Sequence, residues 1–205
     1  GTLLFEGDPT NAIYAVRSLG IDPSTGKELY LTKDGEITET WKSSDRVFLG
    51  SYDPKYRGNI STLFQWGGLS INLAFGYHFG GYQYNSTLLS KVEINKNMIS
   101  AGNVDKRVYE DRWQKPGDVK FFKKIDDKST KATSRFVMKE SVFELQNVSL
   151  QYTFDGPKFK EKTKMQALLI GLNMSEILYL STIRLERGTG YPYARHAALS
   201  LSVTF

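Results

Sequence analysis

Between Leu69 and Phe79 the chain alternates without a break. Leu69, Ile71, Leu73, Phe75, Tyr77 and Phe79 take one parity; Ser70, Asn72, Ala74, Gly76 and His78 take the other. Strand side chains point to opposite faces in turn, so this run is an extended strand with one apolar and one small polar side. The last residues repeat the device: Leu199, Leu201, Val203 and Phe205 alternate with Ser200, Ser202 and Thr204. An antiparallel sheet over a soluble core can carry this pattern. So can a transmembrane barrel strand, with lipid outside and a wet lumen inside. The polar side of the terminal run bears only uncharged hydroxyls, and Leu69–Phe79 has the roughly 9–11 residues that a tilted strand needs to cross a bilayer. Both details favour the barrel.

Composition allows either. A mean hydropathy of -0.38 fits a soluble protein, and equally a barrel whose lumen and loops are polar. No apolar run is long enough for a transmembrane helix. The twelve Tyr and twelve Phe could form interfacial girdles or fill a sandwich core. The chain has no Cys, which excludes disulfides and thiolate metal sites. A net charge of +5 would suit nucleic acid. The densest basic runs, Lys120–Lys131 and Lys158–Lys164, sit among turn residues, so they read as solvated loop charge and no nucleic-acid partner is expected. The opening G-T-L-L-F-E-G reads as the middle of a longer chain, a fragment or a processed product.

In order, Asn11–Leu19 and Glu28–Thr32 are short strands separated by the turn I-D-P-S-T-G, and Lys33–Glu36 is a hairpin returning through Ile37–Trp41. Tyr52–Asn59 turns into a strand over Tyr56–Trp66. Gly67-Gly68 connects it to Leu69–Phe79 by a turn needing positive φ. Residues 80–140 form a long irregular region with one short helix around Val104–Trp113. Ser141–Phe154 resumes the strand pattern with a phase change that calls for a bulge near Gln146-Asn147. Asp155–Pro157 turns the chain and Met165–Asn173 precedes the terminal strand. About seven strands are too few for a closed outer-membrane barrel, so the expectation is an all-β chain forming the carboxy-terminal strands of a larger antiparallel one.

A-I-Y-A-V-R-S-L-G-I-D-P-S-T-G (Ala12–Gly26), Y-D-P-K-Y-R-G-N (Tyr52–Asn59), D-R-W (Asp111–Trp113), F-E-L-Q-N-V-S-L-Q-Y (Phe143–Tyr152), G-L-N (Gly171–Asn173) and Y-P-Y-A-R…L-S-V-T-F follow one another. Together they resemble the end of a SusC/RagA-type TonB-linked (TonB-dependent) transporter. The resemblance implies a 22-stranded transmembrane β-barrel in the outer membrane of a Gram-negative bacterium, with residues 1–205 as its carboxy-terminal segment and 80–140 as a long extracellular loop. It implies a SusD-like surface lipoprotein as lid, contact with TonB through an amino-terminal plug absent from this sequence, outer-membrane lipid around the wall, and a glycan or peptide substrate. Phe205 matches the carboxy-terminal aromatic by which such barrels are assembled. The stretch A-L-L-I-G-L-N-M-S-E departs from the family's usual aromatic run.

Catalysis finds little footing. His78 could pair with a loop carboxylate such as Asp111 as a general base, but a polar residue near a strand end reads more simply as lumen lining. His196 beside Arg195 is structural. Asp105, Glu110 and Asp111 are interleaved with Lys106, Arg107 and Arg112, which points to ion pairing rather than a metal. No cofactor is expected. Substrate contact would fall to Ser70, Asn72 and His78 on the lumen face, and to the loop aromatics Tyr82, Tyr84, Tyr109 and Trp113. The alternative is a soluble β-sandwich binding module, in which Leu73, Phe75, Leu201 and Val203 would face a protein core.

Overall fold

A computed structural model describes residues 6–126, 128–183 and 195–205. Their strands are β1 (Ala12–Ile21), β2 (Glu28–Leu31), β3 (Ile37–Thr38), β4 (Arg46–Ser51), β5 (Tyr56–Trp66), β6 (Leu69–Tyr84), β7 (Val137–Phe154), β8 (Ala167–Ser181) and β9 (His196–Thr204). The helices are α1 (Ser86–Lys91), α2 (Lys96–Ser100), α3 (Arg107–Glu110) and α4 (Pro157–Thr163). The opening G-T-L-L-F and the Y-P-Y-A of the terminal motif lie outside the described residues. The chain divides into two units: residues 1–53, 81–139 and 183–190, and residues 54–80, 140–182 and 191–205.

The first unit holds a four-stranded antiparallel sheet in the order β3-β2-β1-β4. β1 buries Ile13, Ala15 and Val16. Register shifts beside Tyr14 and Gly20 interrupt its alternation, which is why the sequence there shows no clean period. The turn after β1 is built by Asp22, whose side chain accepts from the Ser24 amide and the Ser24 and Thr25 hydroxyls. These donors favour the charged carboxylate and hold its pKa below the usual range. β4 has no counterpart in the sequence reading, because R-V-F-L-G-S is too short to show a period. The expected return strand through Trp41 stops at Thr38, and the Trp41 indole instead donates to the Ala132 carbonyl at 3.1 Å.

Residues 80–140 are not structureless, as a run without period suggests. β6 continues to Tyr84 and β7 begins at Val137. Between them α1, α2 and α3 lie around a core of Leu88, Val92, Ile94, Val108, Phe122 and Phe136. Asn85 and Asn95 cap α1 and α2, their side chains accepting from the Leu88 and Met98 amides at 2.8 and 3.1 Å. These helices have six, five and four residues, too few turns to display an apolar stripe. The helix expected over Val104–Trp113 is only Arg107–Glu110.

The second unit is a five-stranded sheet in the order β5-β6-β7-β8-β9. The Gly67-Gly68 turn forms as expected, with Gly67 at φ 55°, and β5 and β6 pair without a slip from Trp66–Leu69 to Tyr56–Phe79. The expected bulge also occurs, between Leu145 and Asn147. The extra residue lies on the partner strand, not on β7: Gln146 alone faces Glu176 and Ile177, and Glu176 takes φ 55° to accommodate it. The expected turn at Asp155–Pro157 leads into α4, with Pro157 at its first position.

Cross-strand partners share a face. The β5–β6 register therefore puts Ile60 with Phe75, Thr62 with Leu73, Phe64 with Ile71 and Trp66 with Leu69 on the apolar side. Across β8 and β9 the same side carries Leu168 with Val203, Ile170 with Leu201, and Leu172 with Leu199. This face is bare at the outer strands: Trp66 is 76% exposed, Leu199 77% and Leu201 67%. Leu201 and Val203 are exposed and Leu73 and Phe75 only half-buried, whereas the sandwich alternative needs all four to face a protein core.

Candidate functional site

The opposite face of the second unit gathers the polar residues. The register sets Ser70 across from Gln65, Asn72 across from Leu63, Ala74 across from Ser61, Gly76 across from Asn59, and His78 across from Arg57. The three lumen candidates thus lie along one side of β6, in a row of amides and hydroxyls interrupted by Leu63 and Ala74. Charge collects at the His78 end. His78 Nε2 stands 3.5 Å from Glu140 Oε2, so its carboxylate partner is on β7 and is not Asp111. Glu144 accepts a hydrogen bond from Gln146 at 2.7 Å, and both side chains close over Gly76, where a Cβ would collide with them. On β8, Gly171 leaves room for the Ser200 hydroxyl, which donates to its carbonyl at 3.3 Å. The face can offer neutral donors and acceptors along its length and an imidazole–carboxylate pair at one end. No group of three or more His, Asp or Glu poised to hold a metal occurs among the described residues.

In the first unit the aromatic candidates divide. Tyr109 is 73% exposed. Tyr82 lies over Gly50, where a Cβ would enter its ring. Tyr84 packs edge-on against Phe136, with centroids 6.3 Å apart. Trp113 donates its indole N–H to the Pro23 carbonyl at 2.9 Å, and its ring covers Gly26. Three of the four are therefore committed to packing. Gly26 sits at φ 69° with no space beneath the indole, so Gly26→Val combines left-handed strain with a clash. A loss of about 2 kcal/mol or more is expected, read as faster hydrogen exchange at the Lys124 amide, which donates to the Gly26 carbonyl.

The ionic centre of this unit has no signature in the sequence. Arg135 forks onto Glu28 at 3.0 and 2.8 Å and onto Glu93 at 2.7 and 2.5 Å. All three side chains are buried. Its guanidinium also donates to the Phe121 carbonyl and lies over the Phe136 ring, 4.7 Å from the centroid. Burial alone would lower the Arg135 pKa, but the hydrogen bonds and charges of Glu93 and Glu28 outweigh it and raise the value. Arg112, also buried, donates to the carbonyls of Val108, Ile94 and Val92. Desolvation lowers its pKa, opposed chiefly by the charge of Glu93. Two cations thus balance two carboxylates inside the unit. No local motif announces this, because Glu28 and Arg135 lie 107 positions apart.

Glu28 and Tyr30 also line a cleft of about 740 Å³, with Trp41 and Lys27, Lys123, Lys124, Lys128 and Lys131 around it. Lys27 is engaged by Glu39 and Lys123 by Asp126. Lys124, Lys128 and Lys131 make no ion pair among the described residues. The cleft therefore presents ammonium groups beside an aromatic wall, suited to an anionic group.

No protein-family profile matches the sequence, and no curated protein matches it. Among solved structures, the chain is similar to the RagAB peptide importer in its 'open-open' state, at 19% identity and a TM-score of 0.74, over 100% of this chain and 25% of that one. The RagAB peptide transporter matches at 19% identity and a TM-score of 0.71, over 84% of this chain and 19% of that one. The importer in its 'closed-closed' state matches at 18% identity and a TM-score of 0.61, over 87% and 21%. At these identities the likeness is one of fold, and the chain spans no more than a quarter of the length of these structures.

Proposed function

We propose that this chain is the carboxy-terminal part of the barrel of a TonB-dependent outer-membrane importer of nutrients, oligosaccharides or peptides, acting with a SusD-like surface lipoprotein. The supporting observation is the sheet of the second unit, whose exposed apolar face and polar opposite face are what a wall between lipid and a wet lumen requires. β5 and β9 are its outer strands, and an open edge in a membrane needs further strands to satisfy its backbone. In the full barrel of 22 strands those neighbours would come from upstream, together with the plug and the TonB contact. The fold likeness to RagAB supports the same reading.

In this role the segment is passive. Ser70, Asn72 and His78 line the lumen, residues 80–140 belong to the extracellular loops, and Phe205 marks the strand end used in assembly. Tyr109 is the loop aromatic left for a sugar ring or peptide side chain to stack on. The lysine cleft would meet substrate carboxylates.

The test is the intact mass and location of the parent protein. A detergent-extracted membrane species several times larger than 23.2 kDa, yielding peptides of an upstream plug, is expected. A stable species of 23.2 kDa in the soluble fraction would defeat the proposal and favour a binding module.

A further inference from the structure

We infer that α4, in the β7–β8 connection, is a binding site for anionic phospholipid headgroups; this rests on the reading of the apolar sheet face as lipid-facing. The connection P-K-F-K-E-K-T-K carries Lys158, Lys160, Lys162 and Lys164. All four are exposed, and none is in an ion pair among the described residues. Phe159, half-buried, packs on Phe154 with ring centroids 5.9 Å apart, and Phe154 packs on Tyr152 at 4.5 Å. The register puts Phe154 and Tyr152 across from Leu168 and Ile170, on the apolar face. The helix is therefore fastened by an aromatic ring to the margin of that face. Trp66 and Phe205 belong to the same end, since the Thr153 amide donates to the Gly68 carbonyl and the Gln166 amide to Thr204.

Residues of a helix step about 100° around the axis. Lys158 and Lys162 thus flank Phe159 on one side and Lys160 flanks it on the other, while Glu161, the helix's single acid, points away from the ring. Lys164 follows at the left-handed helix end, φ 57°. An aromatic ring at the edge of the hydrocarbon with ammonium groups on both flanks is the arrangement of an interfacial helix, whose long side chains reach the phosphate level. Solvated loop charge would need neither the ring's anchorage nor the segregation of the acid.

The experiment uses the full parent protein in detergent, with phosphatidylglycerol and phosphatidylcholine of identical acyl chains as probes and native mass spectrometry as readout. The parent should retain phosphatidylglycerol preferentially. Replacing all four lysines by glutamine should cut that preference by about tenfold or more, while replacement by arginine should keep it. Should the glutamine variant fail to assemble, Lys158→Gln with Lys162→Gln, which removes one flank, must still lose part of the preference. An unchanged preference, or equal competition by soluble glycerophosphate, overturns the lipid site and leaves the importer reading standing. A parent that stays soluble and forms no heat-modifiable barrel overturns both.

Discussion

Replacing Arg135 by methionine should destabilise the first unit by about 3–5 kcal/mol, because it leaves Glu28 and Glu93 buried without their cation. The loss should appear as faster amide exchange across residues 85–136 of the folded parent, with the strands of the second unit unaffected. Arg135→Lys should recover only part of it, since one ammonium cannot fork onto two carboxylates. Adding Glu28→Gln to the methionine variant should recover part of the loss, because one orphaned charge is then gone while Glu93 still faces the buried Arg112. A methionine variant that exchanges within about 1 kcal/mol of the parent would show that the triad is solvated and that the unit is held by its apolar core alone.

Leu201→Arg should cost the assembled barrel about 2–4 kcal/mol if the apolar face meets hydrocarbon, the range for a cation on the lipid side of a barrel strand near mid-membrane. Its neighbour supplies the control. Ser202 is one residue along β9 and on the other face, across from Leu169, so Ser202→Arg should change folding by less than about 1 kcal/mol. Reversible unfolding of the parent in urea with lipid vesicles measures both. Equal and small effects would sink the lipid-facing assignment, because either face would then be wet.

The sheet of the second unit was legible because its two sides differ in chemistry as well as in period. Leu69–Phe79 and Leu199–Phe205 fixed which residues share a face, and Gly67-Gly68 fixed where the chain turns. The bulge was detectable as a phase error on β7, but not its strand, since the positive φ falls on Glu176, a residue type with no preference for it. The first unit was mostly illegible. Its helices are shorter than the repeat that would reveal them, β4 has too few residues to alternate, and Arg135 is one basic residue among 27 until the fold brings Glu28 and Glu93 to it. The packing of Trp113 on the turn at Gly26 was not legible either, since its sequence neighbourhood says nothing of a residue 87 positions away.

That ionic centre also limits how the chain can be recombined. Long connections between strands invite grafting, and residues 85–136 look like a cassette bounded by two strands. Transplanted alone, the cassette would carry Arg135 and Glu93 but leave Glu28 behind on β2, and Trp113 would lose the turn it covers. The smallest exchangeable part is therefore the loop together with β1–β4. Chimeras that swap both should fold, and those that swap the loop alone should not.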